Sequence, residues 1–208
     1  MSLPEGFSLT DMDRLGPDPL VIMHQWLDDA AQYSGRPNPN AAALATCGRD
    51  GQPAARMLLL KGLDARGAVV YTNLQSDKGT QIAENPHAAL LFHWDLLGRQ
   101  LRISGAVSQV EDAEADAYWV SRPWGSQVGG VASDQSRPLA DRGALADRVA
   151  EVAELYPVGS EVPRPAHWTG LRVALERIEF WQEGDDRLHD RIVYEAKPGG
   201  WEISRRWP

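Results

Sequence analysis

The sequence has little cysteine, no long apolar run and a deficit of positive charge, and each shortage excludes a class of protein. A single cysteine, Cys47, among 208 residues excludes an internal disulfide and a zinc site built on cysteines. A formal net charge of -8 at pH 7 opposes general binding to nucleic acids or anionic membranes, because both need a cationic surface. No stretch has the length of a membrane span, and the N-terminus lacks the basic and apolar regions of a signal peptide. We therefore expect a compact cytoplasmic protein.

The common nucleotide and metal motifs are also absent. No GxGxxG follows a predicted strand, and the sequence contains no GxxxxGK[ST], HExxH or paired CxxC. The histidines outside the C-terminal region are scattered along the chain and do not have the spacing of a metal site. A Rossmann domain and a metal centre are therefore not expected.

Hydrophobic periodicity and turn residues predict a mainly β protein with helices between runs of strands. Helices are predicted over Pro17 to Tyr33, Asp77 to Glu84 with Ser76 as the N-terminal cap, Asp112 to Val120 and Asp141 to Leu155. Strands are predicted for AAALATC, PAARMLLLK, AVVYTN, HAALLFHW, RQLRISGAVSQV, Gly170 to Trp181, Arg187 to Tyr194 and Trp201 to Arg205. Such a pattern indicates an antiparallel sheet closing into a barrel with peripheral helices, an α+β fold. We expect one domain over residues 17–208 and a flexible leader over residues 1–16.

The stretch from Glu179 to Arg191, EFWQEGDDRLHDR, combines an aromatic pair, an acidic turn and a cationic run. If the segment after the turn is a strand, its period of two places Arg187, His189 and Arg191 on one face. Three potential cations on one enclosed face repel one another and need an anionic partner, whereas a solvated face needs none. The charge pattern alone favours the solvated face, because charged outward faces are common on antiparallel sheets.

Other cations lie beside predicted strand ends and turns in this acidic chain. Arginine offers a bidentate fork to a phosphate and lysine a point charge, so these residues suit phosphate binding. Arg56 and Lys61 flank MLLL at an odd separation that places them on opposite faces of a strand. Lys78 lies in the first turn of the helix after Ser76, where free N–H groups favour an anion. The alternative for Lys78 is an ordinary exposed lysine.

Six segments in order resemble the pyridoxamine 5'-phosphate oxidase family. They are ARMLLLKG, VVYTNLQSDKGTQIAENP, LGRQLRISG, AYWVSRPWGSQ, ASDQSRP and IEFWQEGDDRLHDR. The resemblance runs from about Pro19 to Pro208, and the joint occurrence of SRPxxSQ, QS and EFWxxxxxRLHxR is its most specific part.

The resemblance implies a split β-barrel homodimer that holds FMN at the subunit interface. The implied activity is oxidation of pyridoxine or pyridoxamine 5'-phosphate to pyridoxal 5'-phosphate, with O2 as acceptor and H2O2 as product. The implied FMN contacts are Arg56, Met57, Leu58, Leu59, Leu60, Lys61, Tyr71, Thr72, Lys78, Gln100, Gln135, Ser136, Trp181 and Arg191. The implied substrate-binding residues are Lys61, Tyr118, Arg122, Ser126, Arg187, Leu188 and His189, with Arg187 and His189 over the substrate ring as the catalytic pair. No metal is implied.

Several positions depart from the family pattern. Asp77 stands where an arginine is common, Val131 replaces a frequent tryptophan, and the chain ends Arg205-Arg206-Trp207-Pro208 instead of Arg-Leu-x-Pro. An Arg-x-x-Tyr that closes over the substrate in many members is missing from the leader. Two alternatives therefore stay open. One is a related oxidase of another substrate, such as a reduced phenazine carboxylate, and the other is a non-catalytic protein that binds FMN or pyridoxal phosphate.

Overall fold

The computed structural model describes residues 16–208, so most of the predicted flexible leader, residues 1–15, lies outside the described part. The helices of this part are α1 (Pro19–Tyr33), α2 (Asp77–Glu84), α3 (Asp112–Ser121), α4 (Trp124–Ala132) and α5 (Arg142–Leu155). The strands are β1 (Ala41–Cys47), β2 (Pro53–Leu59), β3 (Gly62–Asp64), β4 (Gly67–Asn73), β5 (His87–Trp94), β6 (Arg99–Gln109), β7 (Trp168–Val173), β8 (Arg177–Gln182), β9 (Asp190–Lys197) and β10 (Gly200–Arg205).

The strands form one antiparallel sheet that curls into a half-barrel. Its main path runs β10-β9-β8-β6-β5-β1-β2, and β4 joins it through β7, which pairs with the far end of β6. The helices lie around this sheet, as predicted for an α+β fold. The expectation of an antiparallel split barrel with peripheral helices is confirmed. No helix within residues 16–208 is both long and apolar enough to cross a membrane.

The core lies between α1 and the concave face of the sheet. Trp26 of α1 meets Phe180 and Trp94 edge to face, at ring-centroid distances of 5.2 Å and 6.4 Å. These three rings are fully buried. Burial of large aromatic side chains gives the most apolar area per residue, so α1 is held on the sheet chiefly by this contact.

A buried ion pair also fixes the position of α1 on the sheet. Arg99, the first residue of β6, donates to the Asp29 carboxylate of α1 over 2.6 Å, and its guanidinium lies 4.9 Å from the ring of Trp26. Both charged side chains are almost entirely buried. Since removing one partner would leave a buried charge uncompensated, the pair fixes α1 against the start of β6.

The predicted strand from Gly170 to Trp181 is wrong in one respect, because it is two strands. Between β7 and β8 the pairing with β6 shifts by one residue, since Val173 lies opposite Val107 but Arg177 lies opposite Ser104, and the backbone of the connecting segment packs against Gly105. A Cβ on Gly105 would lie 2.2 Å from the carbonyl oxygen of Ala174, so this close packing requires glycine. The break lets β7 pair with the end of β6 and β8 with its beginning.

The strand predicted to begin at Arg187 begins three residues later in the structure. Asp185–Arg187 forms a tight turn, and β9 starts at Asp190. The placement of Arg187, His189 and Arg191 on one strand face is therefore wrong, because only Arg191 belongs to a strand. Asp186 and Arg187 both have positive φ, which is incompatible with an extended strand.

Candidate active site

The largest concentration of predicted site residues lines an open cleft of about 470 Å³. Its floor and walls come from the end of β2, from β4, from α3 and α4, and from the segment after α4. Ten of its lining residues were predicted from the sequence as FMN or substrate contacts: Met57, Leu58, Leu59, Lys61, Tyr71, Thr72, Tyr118, Arg122, Ser126 and Gln135. One cleft therefore brings together half of the FMN-contact set and four of the implied substrate-binding residues, Lys61, Tyr118, Arg122 and Ser126.

Arg122 carries the least compensated charge in this cleft. Its Nη1 is buried without a hydrogen-bond partner, and it is the only charged group among the buried side-chain atoms left unpaired in residues 16–208. Burial lowers the pKa of Arg122, but an arginine still stays protonated. A partly buried guanidinium that has an unpaired buried nitrogen and no carboxylate partner is costly, so this cleft is suited to an anion.

Lys61 contributes a second cation at the mouth of the cleft. Lys61 lies beyond the end of β2, so the prediction that it shares a strand with Arg56 is wrong. The backbone N–H of Lys61 donates to the Val69 carbonyl of β4 at 2.8 Å. Its Nζ lies 5.9 Å from the ring centroid of Tyr118. Lys61 and Arg122 thus approach the same tyrosine, and within the described residues neither forms an ion pair.

A row of aromatic rings forms one wall. Tyr71 and Tyr118 stack at a centroid distance of 3.9 Å, and Tyr71 stacks on Trp168 at 5.2 Å. Burial raises the pKa of Tyr71, so its hydroxyl stays protonated. Flat aromatic walls of this kind suit a planar ligand.

Helix α3, which carries Tyr118, is bound firmly to the sheet. Arg172 of β7 donates through its single nitrogen Nη2 to both oxygens of Glu114, at 2.7 Å and 2.8 Å, a charge-assisted contact. Arg164 forms ion pairs with Asp112 and Asp116 of the same helix. These contacts fix the position of Tyr118 relative to β4 and β7.

Lys78 lies just behind the cleft and is buried, with 7% of its surface exposed, so the alternative of an ordinary exposed lysine is wrong. Its Nζ donates to the Ser76 hydroxyl at 2.9 Å and to the Gln135 side-chain oxygen at 2.6 Å. Both acceptors are neutral. Burial and then the nearby Arg56 lower the pKa of Lys78, while Asp77 opposes the shift. The N-terminus of α2 therefore combines a buried ammonium with free N–H groups, as a phosphate seat requires.

Ser76 is the N-cap residue of α2 as predicted, but its side chain makes no capping hydrogen bond to the helix. Its hydroxyl donates to the Asn73 carbonyl at 2.6 Å and accepts from Lys78. The first turn of α2 therefore keeps its N–H groups available.

Arg56, Leu60 and Ser136, like Lys78, are predicted FMN residues that do not line this cleft. The Arg56 guanidinium turns toward β1 and α2, where it donates to the Leu44 carbonyl, Thr46 and Gln81. The Leu60 side chain lies in the core. Ser136 follows Gln135 with a φ of 70°, a conformation that a serine rarely adopts.

A second, smaller cleft of about 210 Å³ holds another part of the predicted set. Gln100, Trp181 and Arg191 are direct cross-strand neighbours on β6, β8 and β9, and all three line it. The buried Glu179 carboxylate lies beside them, and Arg191 donates to it through Nε at 3.0 Å and Nη2 at 2.8 Å. Arg102 approaches the same carboxylate at 3.6 Å. Glu179 thus fixes the orientation of the Arg191 guanidinium on their shared face of the sheet.

The turn after β8 carries the predicted catalytic pair. Arg187 and Leu188 are exposed, and the His189 ring lies against Trp181 at a centroid distance of 4.5 Å. The Gly184 backbone N–H donates to His189 Nδ1 at 3.3 Å, which fixes the imidazole. Arg187 has a φ of 64°, and strained residues of this kind cluster at functional sites.

The two clefts lie at opposite ends of β6. Gln100 stands at its beginning, whereas Gln109 at its end pairs with Leu171, next to the Gly170 that faces Tyr71. Nine residues of extended strand span about 30 Å. One chain therefore presents two separate parts of the predicted site and does not bring them together.

The sequence reasoning missed several residues of these clefts. Trp168, Gly129, Gly130 and Ser133 line the large cleft, and Glu179 organises the small one. A carboxylate inside the apolar run IEFW was a signal for Glu179, since a buried acid needs cationic partners. Trp168 had no comparable signal, because tryptophan usually serves packing.

Two family models match the chain. The model described as pyridoxamine 5'-phosphate oxidase covers residues 28–156, and the model described as the pyridoxine 5'-phosphate oxidase C-terminal dimerisation region covers residues 168–208. The second match contains both β8 and the turn that carries Arg187 and His189.

Curated relatives share about half of their residues with this chain. The protein named pyridoxine/pyridoxamine 5'-phosphate oxidase in Gluconobacter oxydans is 52% identical over 195 residues, which cover 93% of this chain and 96% of that protein. A protein of the same name in Rhodospirillum rubrum is 51% identical over 197 residues, covering 92% of this chain and 96% of that protein.

Solved structures agree in fold. PhzG from Burkholderia lata, in complex with tetrahydrophenazine-1-carboxylic acid, superposes with a TM-score of 0.90 at 32% identity, and the alignment covers 100% of both chains. A pyridoxamine 5'-phosphate oxidase-related, FMN-binding protein from Nostoc punctiforme gives a TM-score of 0.73 at 17% identity, covering 93% of this chain and 99% of that one. The second likeness bears on the fold alone.

Proposed function

The chain belongs to the pyridoxamine 5'-phosphate oxidase family, and on that premise we propose that it oxidises pyridoxamine or pyridoxine 5'-phosphate to pyridoxal 5'-phosphate with bound FMN. O2 is the electron acceptor and H2O2 the product. The observation that carries the proposal is the partly buried Arg122 guanidinium, whose Nη1 is buried without a hydrogen-bond partner and which forms no ion pair within residues 16–208. It lines a cleft shared with Lys61, Tyr118 and Ser126. A phosphate monoester supplies the missing charge and the acceptor oxygens.

The residues fit FMN as the cofactor. Lys78, buried and paired only with neutral acceptors, suits the flavin phosphate, and Arg56 lies near enough to depress the pKa of Lys78. Gln135 and Thr72 connect this seat to the cleft, where Oγ1 of Thr72 lies 3.5 Å from Oε1 of Gln135. Ser136 and the MLLL segment complete this half of the proposed FMN site. When bound, the flavin accepts hydride equivalents from the substrate and passes the electrons to O2.

We place the complete site between two copies of the chain. The separation of the clefts along β6 and the match to a dimerisation region support a homodimer in which Gln100, Trp181 and Arg191 of the second copy complete the FMN site. Arg187, Leu188 and His189 of that copy then reach the substrate held by Arg122. Oligomers with closed twofold symmetry form two such sites.

In this arrangement the protein contributes binding and orientation. Arg122 and Lys61 hold the substrate phosphate, and Lys78 holds the flavin phosphate, so both planar rings are fixed relative to each other. Arg187 holds the substrate ring from its open side, and His189, fixed through Nδ1 by Gly184, positions the ring edge. We assign no proton transfer to His189, because water can take the proton.

The test is oxygen consumption by purified protein with pyridoxamine 5'-phosphate, together with its visible spectrum. The expected result is a flavin spectrum and stoichiometric formation of H2O2 and pyridoxal 5'-phosphate. Flavin binding without turnover would overturn the oxidase assignment and favour a binding protein.

A second candidate is oxidation of a reduced phenazine carboxylate, which the similarity to PhzG over the whole chain favours. The two substrates differ in charge and shape, since one carries a phosphate dianion on a single ring and the other a carboxylate on three fused rings. Measuring kcat/KM for pyridoxamine phosphate, pyridoxine phosphate and a dihydrophenazine carboxylate in one assay separates them. We expect the phosphorylated pyridines to be preferred, since Lys61, Tyr118, Arg122 and Ser126 share one cleft.

A further inference from the structure

We propose that Trp168 is a positioning residue that orients Arg122 and Tyr118 toward the phosphate group of the substrate. The inference rests on the proposed function, because it takes that phosphate as the occupant of the large cleft. Trp168 is the first residue of β7 and was not among the predicted site residues.

The Arg122 side chain has none of the usual means of orientation. Within residues 16–208 its guanidinium forms no ion pair, and Nη1 has no hydrogen-bond partner. Its central carbon instead lies 4.7 Å from the ring of Trp168 and 4.8 Å from the ring of Trp119. Aromatic faces attract a guanidinium through their quadrupole. They orient the cation without neutralising it, whereas a carboxylate would compete with the phosphate.

The same indole also supports the tyrosine of the phosphate site. The rings of Trp168 and Tyr118 are nearly parallel, with an angle of 6° between their planes and 6.1 Å between their centroids. Tyr71 stacks on both, so the three ring centroids form a triangle with sides of 3.9 Å, 5.2 Å and 6.1 Å. A shift of the indole would therefore move the tyrosine and the arginine together.

Trp168 is itself fixed on every side. Only 6% of its surface is exposed. Its backbone N–H donates to the Pro165 carbonyl at 2.9 Å, and its carbonyl accepts from Arg164 at 2.8 Å. Arg164 is bound to α3 through two carboxylates. The indole is thus a rigid support and not a mobile cover.

Gly130 of α4 gives an independent way to displace the same guanidinium. A Cβ at this position would lie 3.0 Å from Arg122 Nη1 and 3.0 Å from the Trp119 ring. Alanine favours a helix more than glycine does. Gly130→Ala should therefore disturb Arg122 without weakening α4.

The experiment compares FMN-loaded Trp168→Leu, Trp168→Phe and Gly130→Ala with the unaltered protein. Calorimetry measures the Kd of pyridoxal 5'-phosphate and of pyridoxal, which lacks the phosphate, and oxygen consumption gives KM and kcat. Trp124→Leu is the matched control, since Trp124 packs in the same aromatic cluster but makes no cation–π contact with Arg122 in the described residues.

We expect Trp168→Leu to raise the Kd of pyridoxal 5'-phosphate and the KM of pyridoxamine 5'-phosphate about tenfold, a change of about 1.4 kcal/mol. The Kd of pyridoxal and the value of kcat should change less than about threefold. Trp168→Phe, which keeps an aromatic face, should restore most of the affinity, and Gly130→Ala should weaken phosphate binding at unchanged Tm.

The proposal is overturned if Trp168→Leu weakens pyridoxal and its phosphate equally, or if Trp124→Leu raises the KM as much. Should Trp168→Leu fail to fold, unaltered phosphate affinity in Gly130→Ala overturns it. The proposed function is tested separately. If the unaltered protein does not turn over but Trp168→Leu still weakens binding of the phosphate selectively, the oxidase assignment is lost and the positioning role of Trp168 is retained.

Discussion

A mixing experiment between two inactive variants tests whether each active site is built from two chains. Arg122→Ala damages the large cleft, and Arg187→Leu damages the turn after β8. The clefts stand about 30 Å apart along β6, so a site that needs both must take one from each copy. In a mixed dimer one site then carries both lesions, and the other carries none.

The expected recovery follows from counting sites. Arg122→Ala removes a charged hydrogen bond to phosphate, worth about 2–3 kcal/mol, which leaves a few per cent of kcat/KM or less. After subunit exchange at equal concentrations, about half of the dimers are mixed, and each has one intact site out of two. The mixture should recover about a quarter of the activity of the unaltered protein, well above the residual activity of either variant.

The assay is oxygen consumption before and after exchange, with subunit exchange confirmed by mass spectrometry of differently tagged chains. The control mixes the unaltered protein with the double variant Arg122→Ala/Arg187→Leu. There every mixed dimer has one lesion in each site, so activity should fall from about half to about a quarter of the unaltered value on exchange. If exchange is complete and the single variants recover nothing, both residues act within one chain and the dimer proposal is refuted.

Three further predictions concern charge. In the protein without FMN, the pKa of Lys78 lies below the ordinary lysine value of 10.5. FMN affinity should fall as the pH rises above this lowered pKa, because the phosphate binds the protonated ammonium and raises the pKa of Lys78 again. Fluorescence titration at a series of pH values checks this, and the same pH dependence of affinity in Lys78→Met would contradict it. Asp77→Asn removes a carboxylate close to the proposed phosphate seat, so the Kd of FMN should fall about threefold while that of riboflavin stays unchanged, and an equal change in both would assign the effect to the flavin ring. Asp29→Ala leaves the Arg99 guanidinium buried without its partner and should lower the free energy of unfolding by about 3 kcal/mol. Denaturation in urea measures this free energy, and a decrease of less than about 1 kcal/mol would mean that water reaches the arginine.

The fold was predictable wherever one face of an element is buried. In β5, buried residues occupy every second position from Ala88 to Trp94, as the alternating sequence predicts. In β7 every residue is buried, so the pattern carries no period and gives no sign of where the strand ends. The break before β8 depends on a contact with Gly105, distant in sequence, which no local pattern contains.

The candidate site, like the fold, was predictable from the sequence only in part. The resemblance to the family predicted ten of the residues that line the large cleft, because they lie in short motifs that can be matched position by position. It did not predict the support of Arg122 by Trp168 or the approach of Arg102 to Glu179, since these contacts join segments far apart in sequence. The strand predicted for Arg187 and His189 was wrong, because left-handed backbone at non-glycine residues such as Asp186 and Arg187 leaves no sequence signal.

That left-handed backbone bears on how this protein can change over evolution. Within residues 16–208 the non-glycine residues with positive φ are Ser136, Asp186 and Arg187, and such conformations cost about 1 kcal/mol or more each. Glycine would relieve the cost at any of them but would also let the segment sample other shapes. Selection for stability alone would therefore favour glycine at these positions, whereas selection for turnover would retain the bulkier residues, so the two pressures oppose each other here.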